Sequence, residues 1–352
     1  MPYQQKRPLM PHRPLLPKRR ASARADLRTA GSGLLVLLLI AFGILSLPGI
    51  LRNEVKMAAE EPAKPPFPVT VDPVNETIIE SPEVDALFGE ETESLSAAAS
   101  VAGSAIIWLG NLVASIPGYS QIAGSDIAFV EIKPGYRQEE VARAFGVALG
   151  WTSAEQKAFL KQLEEQEPEV GEGEAVPGMY MVSSAANASY IQELLSDRFK
   201  RDVSSRYTPD AEAVLPLDDV LTIASMLQRE TRDPAEMRLI SGIIWNRLWK
   251  GMNLQIDATL QYAKASTTNT KTWWPVPVPK DKYIKSPYNT YQNEGLPPGP
   301  ISSPSTEAIL AALNPKKTDC IFYFHDKRGN MHCSPTYEGH VKLLKKYYGQ
   351  GR

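Results

Sequence analysis

Ile127-Ala128-Phe129-Val130-Glu131-Ile132 is a run of β-branched and aromatic residues, and Lys133-Pro134-Gly135-Tyr136 closes it with a Pro-Gly pair. Such side chains pack well on a pleated surface, and Pro-Gly reverses the chain, so the stretch predicts a strand ending in a turn. Immediately afterwards the period changes. Val141, Ala142, Phe145 and Leu149 recur at helical spacing, and a second helix is predicted from Thr152-Ser153, with Phe159, Leu160 and Leu163 apolar. A strand, a turn and two short helices within residues 127–165 set the fold class as α+β.

Towards the C-terminus the same alternation continues. Residues 164–173 are acidic and loop-like, residues 178–182 read as a short strand and residues 189–199 as a helix. Asp218 and Asp219 are expected to cap a helix that runs through Arg229. Asp233-Pro234-Ala235-Glu236 places a capping acid, a proline at the first helical position and a glutamate three residues after the cap. The helix it opens is expected to run to Lys250 and stop at Gly251. Ser303-Pro304 opens another, ending near Asn314-Pro315. Residues 321–324 and 331–333 predict a hairpin around Lys327-Arg328-Gly329, followed by a last helix from Thr336 to Gly349. The organisation expected is a small module with its connection over 126–205 and a larger α+β domain over 206–352.

Towards the N-terminus the composition changes character. Residues 1–28 carry eight basic side chains against one acid, Asp26. Residues 29–51 carry none of either sign, and Leu34-Leu35-Val36-Leu37-Leu38-Leu39-Ile40 forms their centre. At ~1.5 Å per residue that run matches a ~30 Å hydrocarbon core, and it exceeds the ~7–15-residue apolar region of a cleavable signal peptide. A single transmembrane helix is expected, with the basic tail in the cytoplasm and the chain beyond residue 52 outside it. Residues 52–94 interleave Pro62, Pro65, Pro66, Pro68, Pro73 and Pro82 with acids, the composition of an extended, mobile linker. A second uncharged stretch, 95–125, is interrupted by Ser104, Gly110, Asn111 and Ser115. It is expected to lie on the membrane or against the body as an amphipathic helix rather than to span. The linker and this segment together make up 52–125.

Beyond residue 28 there are 30 basic and 39 acidic side chains with no basic stripe, which argues against a nucleic-acid partner. Two cysteines, Cys320 and Cys333, exclude a disulfide-framework scaffold and a cysteine zinc site. They fall on facing strands of the expected hairpin, so in an oxidising compartment they form a possible disulfide. His325, His332 and His340 lack the spacing of metal ligands, and no metal or other cofactor is expected.

Glu230 is the residue suited to carry chemistry. Val220, Ile223, Ala224 and Leu227 form the apolar stripe of its helix, and 230 is the next position on that stripe. A carboxylate there is pushed towards burial at a helix C-terminus, and both conditions favour its protonated form. A general acid working near neutral pH needs that shift. The alternative is a glutamate turned outward at a fraying end, paired with Arg229 or Arg232.

The run around Glu230 decides between these. Ile223-Ala224-Ser225-Met226-Leu227-Gln228-Arg229-Glu230-Thr231 is followed by Trp245-Asn246-Arg247-Leu248 and by Gly251-Met252-Asn253-Leu254-Gln255-Ile256-Asp257-Ala258-Thr259. Then come Ser286-Pro287-Tyr288-Asn289-Thr290-Tyr291, Gly295-Leu296-Pro297-Pro298-Gly299-Pro300-Ile301 and Tyr323-Phe324. In order and spacing over residues 218–347 these motifs closely resemble the endolytic murein transglycosylases of the YceG-like family, and residues 127–165 resemble that family's LysM-like module. The resemblance departs at Gln228, where the family often has a second glutamate, at Met331, where many members have His, and at Cys333, where an aromatic is usual.

By that resemblance Glu230 aligns with the catalytic acid that cleaves peptidoglycan glycan between N-acetylmuramic acid and N-acetylglucosamine. One carboxyl suffices if the sugar's own 6-hydroxyl attacks, giving a 1,6-anhydro product. Asn246, Arg247, Gln255, Asp257, Tyr288, Asn289, Thr290, Tyr291 and His340 are the expected substrate-binding residues. Trp273 and Trp274 offer either a sugar platform or surface packing. The protein expected is a membrane-anchored enzyme that terminates nascent glycan strands, with peptidoglycan synthases as further partners. A lysozyme-like hydrolase and a non-catalytic peptidoglycan-binding or divisome scaffold are the rival readings.

Overall fold

The computed structural model describes residues 64–93, 127–164, 171–267 and 272–349. The basic tail, the apolar run 29–51 and the segment 95–125 lie outside the described residues. Among the described residues no helix is long and apolar enough to cross a membrane.

The first described residues correct the linker expected over 52–94. Residues 64–93 pack against the body: Phe67, Val71, Ile78 and Val84 are buried. The Phe67 amide donates to the Arg206 carbonyl (3.0 Å), and the Thr70 amide to the Leu313 carbonyl (3.0 Å). Strands β1 (Val71–Asp72) and β2 (Thr77–Ile78) form a small antiparallel pair, and helix α1 (Pro82–Glu93) brings Asp85 to 2.7 Å from Arg238. Composition misjudged the segment because a few apolar side chains on an extended chain suffice when a formed surface receives them.

Strand β3 (Ile127–Ile132) leads through the Pro-Gly turn into α2 (Gln138–Leu149) and α3 (Ser153–Leu163). Strand β4 (Gly178–Ser183) returns antiparallel to β3, with Ile127 opposite Ser183 and Ile132 opposite Gly178. Helix α4 (Ala188–Asp202) closes the unit. Val130, Ile132, Val141, Phe145, Phe159, Tyr180, Ile191 and Leu195 make its core. Phe145 meets both Phe159 and Tyr180 edge-on. The α2 helix ends where Gly150 takes φ +65°, a left-handed position that glycine adopts without strain.

A second core lies under α5 (Pro209–Val214), α6 (Leu217–Glu230), α7 (Pro234–Trp249), α8 (Asp257–Thr267) and α9 (Thr306–Leu313). The stripe of α6 packs there beside Ile240 and Ile244 of α7 and Ala308 and Ala312 of α9. Pro216, not Asp218 or Asp219, occupies the cap position of α6; the two acids stand in the first turn, where they favour the helix through its dipole. Asp233 does cap α7, accepting from the Ala235 (2.8 Å) and Glu236 (3.3 Å) amides.

The chain finishes with the hairpin β5 (Phe322–His325) and β6 (Met331–Ser334), Tyr323 lying opposite Cys333, and helix α10 (Tyr337–Tyr348). A disulfide joins Cys320 to Cys333. Three two-stranded antiparallel sheets among helices make the described residues α+β.

Candidate active site

The stripe of α6 carries Glu230 to the edge of the second core, and the side chain stays half-buried. Tyr323 of β5 donates its hydroxyl to Glu230 Oε2 at 2.9 Å. Burial is the main influence on the carboxyl and raises its pKa; the negative charge of Asp257 adds to the rise. The Tyr323 hydrogen bond and the charges of His325 and Arg229 act the other way, and the net shift is upward. Burial, reinforced by Glu230, drives the Tyr323 phenol well above its ordinary range, so Tyr323 is a neutral donor across the physiological range.

Period 2 explains how one strand supplies this wall. Tyr323 and His325 share one face of β5, while Phe322 and Phe324 pack against Tyr337, His340 and Tyr348 of α10. His325 Nε2 lies 3.3 Å from Glu236 Oε2, which also accepts from the Thr231 hydroxyl at 2.7 Å. The glutamate expected to return to its own helix cap is thus spent on the site's margin. Opposite, Tyr291 donates its hydroxyl to Asp257 Oδ1 at 2.6 Å. Burial and Asp257 raise the Tyr291 phenol, and the charge of Glu230 contributes.

Asp257 and Tyr291 therefore stand within electrostatic reach of Glu230, while Asn246, Arg247, Asn289 and Thr290 have side chains already bonded to the protein. Asn246 Nδ2 donates to the carbonyls of Thr318 (2.7 Å) and Cys320 (3.0 Å). Arg247 donates from Nε to Ile321 O (2.7 Å) and from Nη1 to Leu254 O (2.6 Å). Both side chains are consumed in fixing the backbone on either side of the site. Asn289 is fully buried and bonds Lys282 O and Ile284 O. Thr290 Oγ1 accepts from the Ile256 amide (3.0 Å) and meets Thr259 Oγ1 (2.8 Å). Tyr288 leans on Tyr262, ring centroids 4.7 Å apart, and His340 packs on Phe322 and Phe324 away from Glu230. Gln255 keeps an exposed side chain in a left-handed backbone position, φ +54°, where its amide donates to Thr290 O at 3.0 Å.

Glu230 is among the residues that line a groove of about 1260 Å³. Lys133, Tyr136 and Glu140 line one side; Arg229, Arg232 and Met237 line the other. The β3–α2 turn is held to the body by two main-chain bonds, Gly135 N–H to Ser303 O (2.8 Å) and Ser303 N–H to Tyr136 O (2.7 Å). Gly135 has φ +85°, and a side chain there would press Arg229 Nη1 at 3.0 Å. Gln228 Oε1 accepts from the Ser305 amide at 2.9 Å, so it holds the start of α9. Trp274 is committed to packing: its Nε1 donates to Glu140 Oε2 (3.0 Å), and the Arg229 guanidinium covers its ring at 3.8 Å. Among the described residues no three His, Cys, Asp or Glu side chains gather where a metal ion could be held.

Tyr323, His325, Thr231 and Glu236 were missing from the sequence-derived site. The signal available was the alternation Phe-Tyr-Phe-His over 322–325, which puts two polar aromatic side chains on the face opposite the phenylalanines. Residues 111–346 match the model of the YceG-like family, two thirds of the chain and all of the groups just described. The chain belongs to the YceG-like family.

Its relatives carry a consistent name. It is 33% identical over 159 residues to the endolytic murein transglycosylase of Bacillus subtilis (strain 168), covering 45% of this chain and 39% of that protein. Over 179 residues it is 32% identical to the endolytic murein transglycosylase of Streptococcus pneumoniae serotype 2 (strain D39), covering 50% of this chain and 32% of that one. The chain thus spans well under half the length of these curated relatives. The 2.6 Å crystal structure of a yceG-like protein from Listeria monocytogenes superposes with a TM-score of 0.54 at 26% identity, covering 64% of this chain and 81% of that one.

Proposed function

We propose that this YceG-like protein is an endolytic lytic transglycosylase of peptidoglycan, with Glu230 as both general acid and general base. The observation that carries the proposal is a half-buried carboxyl whose direct hydrogen-bond partner is a neutral hydroxyl, Tyr323 at 2.9 Å, in the lining of a groove. Burial favours the protonated form that a general acid needs. Glu230 gives its proton to the glycosidic oxygen, the bond from muramic acid C1 to that oxygen breaks, and the pair of electrons leaves with the N-acetylglucosamine. The 6-hydroxyl of the same muramic acid attacks C1, and its proton returns to the Glu230 carboxylate. The ring closes to 1,6-anhydro-muramic acid with no water consumed, and an intramolecular nucleophile brings a large effective concentration.

The relatives' name supports this substrate class. The uncharged run 29–51 behind a basic tail supports a single N-in membrane anchor with the catalytic domain outside the cytoplasm. Residues 127–165 take the role of a LysM-like glycan-binding module, and cleavage of nascent strands near the membrane terminates their elongation, in company with peptidoglycan synthases. Gln255, Asp257 and Tyr291 take the substrate-facing roles.

Asp257, whose charge reaches Glu230, favours a second reading: a two-carboxylate hydrolase of the same bond. Mass spectrometry of products from purified glycan separates them. Anhydro ends are expected; reducing ends select the hydrolase, and binding without turnover selects a scaffold. A reporter active only outside the cytoplasm, fused after Arg352, is expected to be active; a reporter active only inside would overturn the topology.

A further inference from the structure

We propose that Tyr323 is a positioning residue for this reaction: its hydroxyl occupies Glu230 Oε2, leaves Oε1 for the glycan, and stabilises the carboxylate that exists between the two proton transfers. The inference rests on Glu230 being the acid.

The geometry is fixed from several sides. Tyr323 stands on β5 at 2.9 Å from Oε2, and among the described residues no hydrogen bond engages Oε1. The strand beneath it is held by the Cys320–Cys333 disulfide, by Arg247 on Ile321 O and by Asn246 on Cys320 O. Phe322 and Phe324, on the opposite face, are packed against α10. A tyrosine so restrained cannot follow a wandering carboxyl; it dictates where the carboxyl sits.

The chemistry follows from the charge change. While Glu230 is protonated the bond joins two neutral groups. Once the proton has gone to the leaving oxygen the same bond reaches an anion, and hydrogen bonds to ions are the stronger kind. Tyr323 therefore lowers the energy of the state that follows bond cleavage more than that of the resting enzyme. It keeps its own proton throughout, because burial and the neighbouring charge resist its ionisation.

Other groups face Glu230. Asp257 on α8 opposes its ionisation. Tyr291, in the loop before α9, is bonded to Asp257. His325 on β5, beside Glu236 of α7, and Arg229 on α6 itself favour the carboxylate. Tyr323 also favours it, so loss of its hydroxyl raises the Glu230 pKa. Glu230 must be protonated to start the reaction, so activity falls as pH rises through that pKa, and without Tyr323 the fall comes at higher pH.

The test uses the full chain in detergent or vesicles, with purified glycan strands and release of anhydro-muramyl product as readout. In Tyr323→Phe, kcat is expected to drop about tenfold to a hundredfold, the range of a hydrogen bond to an ion, with KM little changed. Its alkaline limb moves to higher pH. Tyr348→Phe removes a hydrogen bond to the same strand, at His325 O, without touching Glu230. It is expected to leave the limb in place. If Tyr323→Phe does not fold, 3-fluorotyrosine at 323, a stronger donor of the same shape, is expected to move the limb to lower pH. An unmoved limb in the variant that folds overturns the inference, whatever the change in rate. Glu230→Gln distinguishes this from failure of the functional reading: if that variant turns over, the acid is misassigned, and if it is dead, only the role of Tyr323 is at stake.

Discussion

Around Arg137 the protein buries charge against charge; around Glu230 it buries a carboxyl against a neutral hydroxyl. Arg137 is 2% exposed, pairs with Glu139 at 2.5 Å, lies over the Tyr262 ring at 4.0 Å and reaches Ser266 Oγ at 3.0 Å. Glu172 sits beside this pair, accepting from the Gln138 amide at 3.2 Å, and burial with the nearby Glu139 pushes its pKa up to about 8. Every strong group there is answered by another, so little is left to act on a third molecule. Glu230 has one answered oxygen, and the charges around it tune the carboxyl without neutralising it. Two raised glutamates thus differ in their partners: Glu172 is enclosed by the Arg137 cluster, and Glu230 keeps one oxygen without a hydrogen bond among the described residues.

Glu230→Gln strikes the sharper side of that contrast. It keeps size and reach but removes the proton, and general acid–base catalysis contributes ~10²–10⁴-fold. With one group serving both steps, loss near the upper end is expected in anhydro-product release, with the unfolding temperature held or slightly raised. Retention of more than about a tenth of wild-type turnover would sink the assignment.

Arg137→Ala strikes the other side. It leaves Glu139 without its cation and Glu172 without a favourable charge, and breaking a buried pair costs roughly 3–5 kcal/mol. Denaturant unfolding should show that loss, while the folded fraction keeps the pH profile of catalysis. A shifted profile with stability intact would dissolve the distinction between the two clusters.

Asp257→Asn separates tuning from participation. Its charge holds the Glu230 pKa up, so its removal should move the alkaline limb of activity to lower pH. The loss of rate should be much smaller than that of Glu230→Gln. Equal losses in the two variants would favour the two-carboxylate hydrolase.

Glu172→Gln carries the smallest effect. A carboxyl with a raised folded-state pKa contributes stability below its unfolded pKa, near 4.5, and that contribution is lost as pH rises through about 8. Wild-type unfolding temperature should therefore fall more steeply than that of the variant between pH 5 and pH 9. Parallel curves would mean that Glu172 ionises without cost.

The elements around the site were largely legible in the sequence because local rules place them. The Pro-Gly turn at 134–135, the Asp233-Pro234 helix start and the 322–333 hairpin each follow from a few adjacent residues. The position of the Glu230 carboxyl on the apolar stripe followed from period alone. The partners of Asn246, Arg247, Asn289 and Thr290 were not legible, for one shared reason. Their types suit sugar hydroxyls, but most of their hydrogen bonds go to main-chain groups, for Asn246 and for Nε of Arg247 across more than seventy residues, and sequence spacing does not reveal such partners. Residues 64–93 misled because composition averages over a segment, while burial depends on where Phe67, Val71 and Val84 land.

The clasp between Gly135, Tyr136 and Ser303 is made of main-chain atoms alone. Side-chain replacement at Tyr136 or Ser303 leaves its donors and acceptors in place, short of proline at 303, which would delete a donor; at Gly135 the left-handed φ of +85° disfavours any side chain. The spacing across the groove and the chemistry of its walls are therefore inherited separately. Lys133 and Arg232 can change charge without breaking that clasp, while Glu140 is tied to Trp274 and to the start of α2.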